Sequence, residues 1–187
     1  MTFANEKKTF LSKLDKSKKG EIDVKVIPLI TLINAREDMY TTSSCSGRID
    51  LWVGNGKKNQ CEWLKVSHDF ITEDFFDVQF PTALVWLRLE PFIMHICCKD
   101  LDVANALLEK AKQIYKKSCI LTAQNKIMVE IRGSEAIEMP FALEGKVLFK
   151  GEISWLVELL NEKMKKIEEG IHKFEKIILS LTSSSKT

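Results

Sequence analysis

The sequence predicts an α+β fold, a mixed β-sheet with flanking helices and a long C-terminal helix. Three observations carry that expectation. Residues 22–39 and 152–181 place apolar side chains at helical spacing. Residues 49–53 and 61–67 read as strands on either side of Gly54-Asn55-Gly56. Helical segments alternate with hairpin-like strand pairs along the whole chain.

The elements follow in order. Residues 7–14 form a short helix. Residues 22–39 form a second, with Val26, Ile27, Ile30 and Ile33 on its apolar face. Pro28 belongs in its first turn, where a missing N–H leaves no bond unmade. Residues 49–53 form a strand, and Gly54-Asn55-Gly56 turns the chain because Gly and Asn accept positive φ. Residues 61–67 return. Residues 83–90 and 92–98 are strands, readable as one run bent at Pro91. Residues 101–115 form a helix with Asp100 or Asp102 near its N-cap. Residues 127–131 and 136–139 read as a hairpin-like pair, and 147–149 as a short strand. The last element, 152–181, is a long amphipathic helix with Leu156, Leu159, Ile167, Ile171, Phe174, Ile178 and Leu181 at helical spacing. A helix ending at Tyr40 leads through Ser44-Cys45 into a strand, and one ending at Tyr115 leads through Ser118-Cys119 toward another. That echo suggests an internal duplication.

Composition sets the outer bounds. A chain of 187 residues, 45% hydrophobic and 29% charged, is long enough for one globular domain with a sizeable core, or for two small lobes. A single domain over 1–187 is expected. The net charge is only +2, but lysines cluster at Lys16, Lys18 and Lys19, at Lys57 and Lys58, and at Lys110, Lys112, Lys116 and Lys117. Such clusters either track phosphates or form solvated faces. Five cysteines, an odd number, include the adjacent pair Cys97-Cys98. The first ten residues lack a continuous apolar stretch, and no window reaches the length of a membrane span. Free thiols in a reducing cytoplasm are the simplest expectation.

The most informative segment is Thr41-Thr42-Ser43-Ser44-Cys45-Ser46-Gly47-Arg48. Hydroxyl side chains compete for backbone hydrogen bonds and favour caps and turns. The segment reads as a polar elbow between a helix and a strand, either a site or a Ser-rich helix terminus. Its Ser-Ser-Cys-x-Gly-Arg run, Ser43 to Arg48, is one of several ordered motifs. Asp15-Lys16-Ser17-Lys18-Lys19-Gly20 precedes it. Trp63-Leu64-Lys65-Val66-Ser67-His68 and Glu90-Pro91-Phe92 with His95 follow, then the stretch from Lys126 through Arg132 to Pro140. On these motifs the chain resembles the wybutosine-synthesis methyltransferase family, which includes the third tRNA wybutosine-synthesising protein and archaeal counterparts. The resemblance spans nearly the whole sequence.

The resemblance implies a reaction: methyl transfer from S-adenosylmethionine to the N-4 ring nitrogen of a wyosine-type precursor beside the anticodon of phenylalanine tRNA. In-line methyl transfer demands close approach and alignment, and the acceptor nitrogen must lose a proton. An anticodon-loop base is already unpaired, so presenting it costs less than flipping it from a duplex.

Ser44, Cys45 and His68 are the catalytic candidates. Histidine suits the proton acceptor, with an ordinary pKa of about 6.5. Cys45 is read as a packing or hydrogen-bonding member, since direct transfer to nitrogen needs no covalent intermediate. Ser43, Ser46, Arg48, Glu90, His95 and Arg132 are the cofactor-binding candidates, Arg48 through its permanently charged planar fork. Asp15, Lys18, Lys19 and Trp63 are the tRNA-binding candidates, Trp63 as a stacking plane. Plainer readings stand beside these: caps for the serines, a surface ion pair for Arg48, a common Gly-Ser turn at Arg132, a strand-end backbone contact for His68.

No Cys-x-x-Cys or close His pair occurs, so no metal is expected. Gly54-Asn55-Gly56 is not a strand-turn-helix nucleotide fingerprint, so the fold is not expected to be a Rossmann-type methyltransferase. The expected site is a cleft where the Ser43–Arg48 elbow, the His68 strand end and the Arg132 turn meet. The long last helix is expected on its own sheet and the protein as a monomer. The competing reading is a non-catalytic tRNA-binding module.

Overall fold

A computed structural model of the chain describes residues 2–12, 22–54 and 62–183. Asp15, Lys18 and Lys19, the Asn55-Gly56 turn and Cys61 lie outside the described residues. In chain order the elements are α1 (Phe3–Leu11), α2 (Ile27–Ala35), β1 (Met39–Cys45), β2 (Arg48–Val53), β3 (Glu62–Ser67), β4 (Val85–Glu90), β5 (Ile93–Cys98), α3 (Leu101–Ala111), β6 (Cys119–Thr122), β7 (Ile127–Arg132), β8 (Ile137–Leu143), β9 (Lys146–Val147) and α4 (Ile153–Ser183). Short 3-10 turns occupy Val24–Val26 and Glu73–Phe76. The expected α+β class holds. The strands form two antiparallel sheets where the sequence suggested one mixed sheet.

Contacts divide the chain into two compact units, each discontinuous in sequence. The first comprises Met1–Ser46, Phe92–Ser134 and Glu168–Thr187, the second Gly47–Pro91 and Glu135–Ile167.

The first unit is built on the sheet β1-β5-β7-β6. One face is apolar: Met94, Ile96, Val129 and Ile131 are fully buried, and α3 contributes Ala104, Leu107 and Ala111 to the core. Asp100 caps α3 by accepting from the Val103 N–H at 2.9 Å. Phe92 stacks on Tyr115, whose ring meets Phe174 of α4 edge-on. Each large side chain buried here is worth about 1.5–3 kcal/mol of transfer free energy. The opposite face is covered at one end by α1. There Phe3 and Phe10 pack on the Tyr40 ring, the Tyr40 hydroxyl donates to Glu6 at 2.8 Å, and Lys126 pairs with Glu6 at 2.7 Å.

The helix expected over 22–39 ends at Ala35. The Asn34 side chain accepts from the Thr41 N–H at 2.8 Å, and Arg36 grips Asp38 through two bonds. These contacts turn the chain, and Met39 to Cys45 join β5 as a strand. Most of the expected elbow is therefore an edge strand. An edge position, paired on one side only, tolerates hydroxyls that a central strand would not, and the pairing overrides local turn preference. Of the two echoing Ser-Cys pairs, Cys45 closes a strand and Cys119 opens one.

The second unit holds the sheet β3-β2-β4-β8-β9. Ile49 and Leu51 on β2, and Val85, Leu87 and Leu89 on β4, form its buried face. In α4, Asn161 brackets Ile71, accepting from its N–H at 2.9 Å and donating to its carbonyl at 2.8 Å. β2 and β3 pair as the expected hairpin. The other expected pair does not form: β5 and β6 occupy both edges of β7, so β8 pairs with β4 and β9. β4 and β5 are likewise separate strands in separate sheets, broken at Pro91, which has no N–H to continue a ladder. The stripe of α4 is Leu156, Leu160, Met164, Ile167, Ile171, Phe174 and Ile178, spaced by three and four; Leu160 and Met164 belong to it, while the expected Leu159 and Leu181 are only half-buried.

Candidate active site

The first unit presents a row of polar side chains across its sheet. Register places Ser43 of β1 opposite His95 of β5, and His95 opposite Glu130 of β7. Successive side chains alternate faces, so all three point to the side opposite the Met94–Ile131 core. Ser43 Oγ lies 2.7 Å from His95 Nδ1, and His95 Nε2 lies 3.0 Å from Glu130 Oε2. An ionised carboxylate only accepts, so Nε2 carries the ring proton and donates it to Glu130. Nδ1 then accepts from the Ser43 hydroxyl. The result is a directed chain, hydroxyl to imidazole to carboxylate, held by three adjacent strands. Ser43 is exposed, while the His95 and Glu130 side chains are 28% and 16% exposed.

Two further groups share this face. Cys45, Ile93 and Arg132 form the next row. Arg132 is exposed, and its guanidinium makes no ion pair among the described residues. Cys119, also exposed, sits opposite Glu130 on β6. Ser44 points the other way, beside fully buried Met94. Ser46 is buried, and both its N–H and its hydroxyl donate to Asp23, at 2.9 and 3.2 Å. The contact joins Ser46 to a residue 23 positions upstream, so it is not a local cap.

The second unit carries a different constellation, on the face of its sheet opposite Ile49 and Leu51. Arg48 reaches Glu90 at 2.5 Å and Asp50 at 3.4 Å, and Arg88 reaches the same two carboxylates at 3.1 and 3.3 Å. Asp50 is fully buried. Burial raises its carboxyl above the usual range, while Arg88 and then Arg48 oppose that rise. Arg48 also lies 4.6 Å from the centre of the Trp63 ring, and Arg88 lies 4.6 Å from that of Trp52, which stacks on Trp86. The Arg48 fork is therefore committed to neighbours within its own sheet. Trp63 remains exposed. Gly47 adopts φ +97°, and its carbonyl accepts from His68 Nδ1 at 2.9 Å. That contact fixes the His68 tautomer and leaves Nε2 as its basic nitrogen.

Ser43, Cys45, His95 and Arg132 share one face of the first unit. Arg48, Glu90 and Trp63 share one face of the second, and His68 holds the turn that enters it. Sequence reasoning missed Glu130, Asp23, Asp50 and Arg88. A signal existed for two of them: Glu130 and Asp50 are lone carboxylates inside apolar strands, where burial demands a partner.

The family described as Methyltransferase TYW3 matches residues 5–180. The tRNA wybutosine-synthesizing protein 3 homolog of Mus musculus is 33% identical over 92% of this chain and 71% of its own length. A Pyrococcus horikoshii protein named tRNA(Phe) 7-((3-amino-3-carboxypropyl)-4-demethylwyosine(37)-N(4))-methyltransferase 1 is 31% identical over 96% of each chain. A solved structure of a Pyrococcus horikoshii protein superposes with a TM-score of 0.85 at 31% identity, covering 95% of this chain and 96% of the other. The chain belongs to the Methyltransferase TYW3 family.

Proposed function

We propose that the protein transfers a methyl group from S-adenosylmethionine to the N-4 ring nitrogen of a wyosine-type precursor base, next to the anticodon of phenylalanine tRNA. The observation that carries this reading is the family match over residues 5–180, joined by an archaeal relative named as an N4-methyltransferase of tRNA(Phe) and aligned over 96% of each chain.

The donor set of the first unit's polar face fits the cofactor's chemistry. Arg132 offers an exposed guanidinium without an ion pair among the described residues, suited to a carboxylate tail. S-adenosylmethionine supplies an electrophilic methyl group on sulfur. The residues' task is alignment and removal of the proton from the acceptor nitrogen. On the second unit, Trp63 offers a half-open aromatic plane backed by Arg48, a surface on which an unpaired base stacks. Lys112, Lys116 and Lys117, exposed after α3, offer charges to backbone phosphates. The protein works as a monomer in this reading. Among the described residues no helix is long and apolar enough to cross a membrane.

The test is methyl incorporation. Phenylalanine tRNA from cells arrested before this methylation is incubated with the protein and methyl-labelled S-adenosylmethionine, and the nucleosides are resolved. Label in one wyosine-type nucleoside is expected. Tight tRNA binding without label would overturn the reading in favour of a non-catalytic tRNA-binding module.

A further inference from the structure

The acceptor nitrogen needs somewhere to send its proton, and the first unit holds a three-membered chain that ends in a carboxylate. We propose that Ser43, His95 and Glu130 are the proton-accepting relay of this methyl transfer, with His95 the base and Glu130 the residue that positions and balances it. The inference rests on the methyltransferase reading above.

The geometry is directional. Ser43 is the exposed end, His95 the middle and Glu130 the most sheltered member. Both ring nitrogens of His95 are engaged, at 2.7 and 3.0 Å, so the imidazole has one orientation and one tautomer. Glu130 lies two residues from Arg132 on the same strand face, yet its ion-pair partner among the described residues is His95, not the nearby guanidinium. A solvated polar face gives no reason for that choice. The contacts also span three strands, linking residues 52 and 35 positions apart in sequence. Ladder hydrogen bonds, not flexible side chains, set the distances.

The step balances as follows. The nitrogen–carbon bond to the methyl group forms as the carbon–sulfur bond of the sulfonium donor breaks, and that bonding pair stays with sulfur. The acceptor N–H bond breaks, and its proton passes to Ser43 Oγ as the Ser43 proton passes to His95 Nδ1. The products are the methylated nitrogen, a restored Ser43 hydroxyl and an imidazolium whose Nε2–H donates to Glu130. Afterwards His95 returns its proton to solvent. Ser43 forms no bond to carbon.

The experiment pairs kinetics with a readout that needs no turnover. Ring-nitrogen NMR of the wild-type protein should show the Nε2–H tautomer of His95, and Glu130→Ala should show a mixture of tautomers. With saturating donor and precursor tRNA, His95→Gln should lower kcat on the order of 10²- to 10⁴-fold, the usual worth of a positioned base. Ser43→Ala and Glu130→Ala should each lower kcat at least tenfold with KM for tRNA little changed, and Glu130→Asp should recover most of the loss. Circular dichroism and tRNA affinity confirm that each variant is folded. Wild-type kcat in folded Glu130→Ala, or equal loss in Glu130→Ala and Glu130→Asp, would overturn the relay while leaving the methyltransferase reading intact. An Nδ1–H tautomer in the wild type would do the same. Absence of methyl transfer by the wild type on any precursor tRNA would overturn both, and the NMR result would still report whether the hydrogen-bond chain exists.

Discussion

A Cβ placed on Gly47 would lie 3.1 Å from the backbone carbonyl oxygen of Glu90 and 3.1 Å from Ile167 Cγ2. The glycine of the Ser-Gly-Arg run is therefore held for two reasons, a φ of +97° that L side chains rarely adopt and a close approach to a neighbouring strand. Gly47→Ala should destabilise the protein by about 1–3 kcal/mol, the usual cost of a strained backbone residue. Urea denaturation would show it as a lower midpoint with an unchanged slope.

Arg48 pairs with Glu90 and Asp50 inside its own sheet. Arg48→Ala leaves buried Asp50 with a single guanidinium neighbour, Arg88. The expected cost is about 1–3 kcal/mol, since a buried carboxylate loses one of its two guanidinium ion-pair neighbours. Adding Asp50→Asn should restore part of the loss, and thermal denaturation of the two singles and the double measures the coupling.

Acid should loosen α1. The Lys126 hydrogen bond, and then the Tyr40 hydroxyl, hold the Glu6 carboxyl below its usual value. A lowered carboxylate stabilises the fold above its unfolded value, about 4.3 for Glu, and the contribution fades as pH falls through the lowered folded value. At neutral pH Glu6→Gln should cost about 0.2–1 kcal/mol, a modest figure because water screens this pair. The gap between wild type and Glu6→Gln should close as thermal scans move from pH 7 toward pH 3.

The lysines after α3 should set part of the salt dependence of tRNA binding. Replacing Lys112, Lys116 and Lys117 with glutamine should raise the tRNA dissociation constant. It should also flatten the plot of log affinity against log salt by about 0.7–0.9 for every phosphate contact removed. A weaker affinity with an unchanged slope would show that these lysines touch no phosphate.

What could be read from the residues depended on whether the information was local. α4 was legible because its stripe repeats within one element, from Leu156 to Ile178. The Gly54-Asn55-Gly56 turn implied the β2–β3 pairing, because a hairpin is fixed by its own loop. β1 was misread as a helix end and an elbow, since its strand character comes from β5, more than fifty positions away. β7 and β8 looked like a hairpin because their sequence separation is short, and nothing local says that both edges of β7 are already taken. The site followed the same rule. Ser43, His95 and Arg132 were picked out as candidates through ordered motifs, whereas Glu130, inside the same Lys126–Pro140 stretch, was passed over and gains meaning only when the register sets it beside His95.

The division of the chain into interleaved pieces has a consequence for biogenesis. Each unit draws on residues from both ends of its span, and each includes part of the last long helix. Neither unit can close as the ribosome releases the chain: β1 must wait for β5 (Ile93–Cys98), and the first unit is complete only once residues from Glu168 onward have emerged. Until β5 follows it out, β1 is a nascent strand without its partner. Its hydroxyl-rich composition keeps such an intermediate soluble where a Val- or Ile-rich edge would invite aggregation.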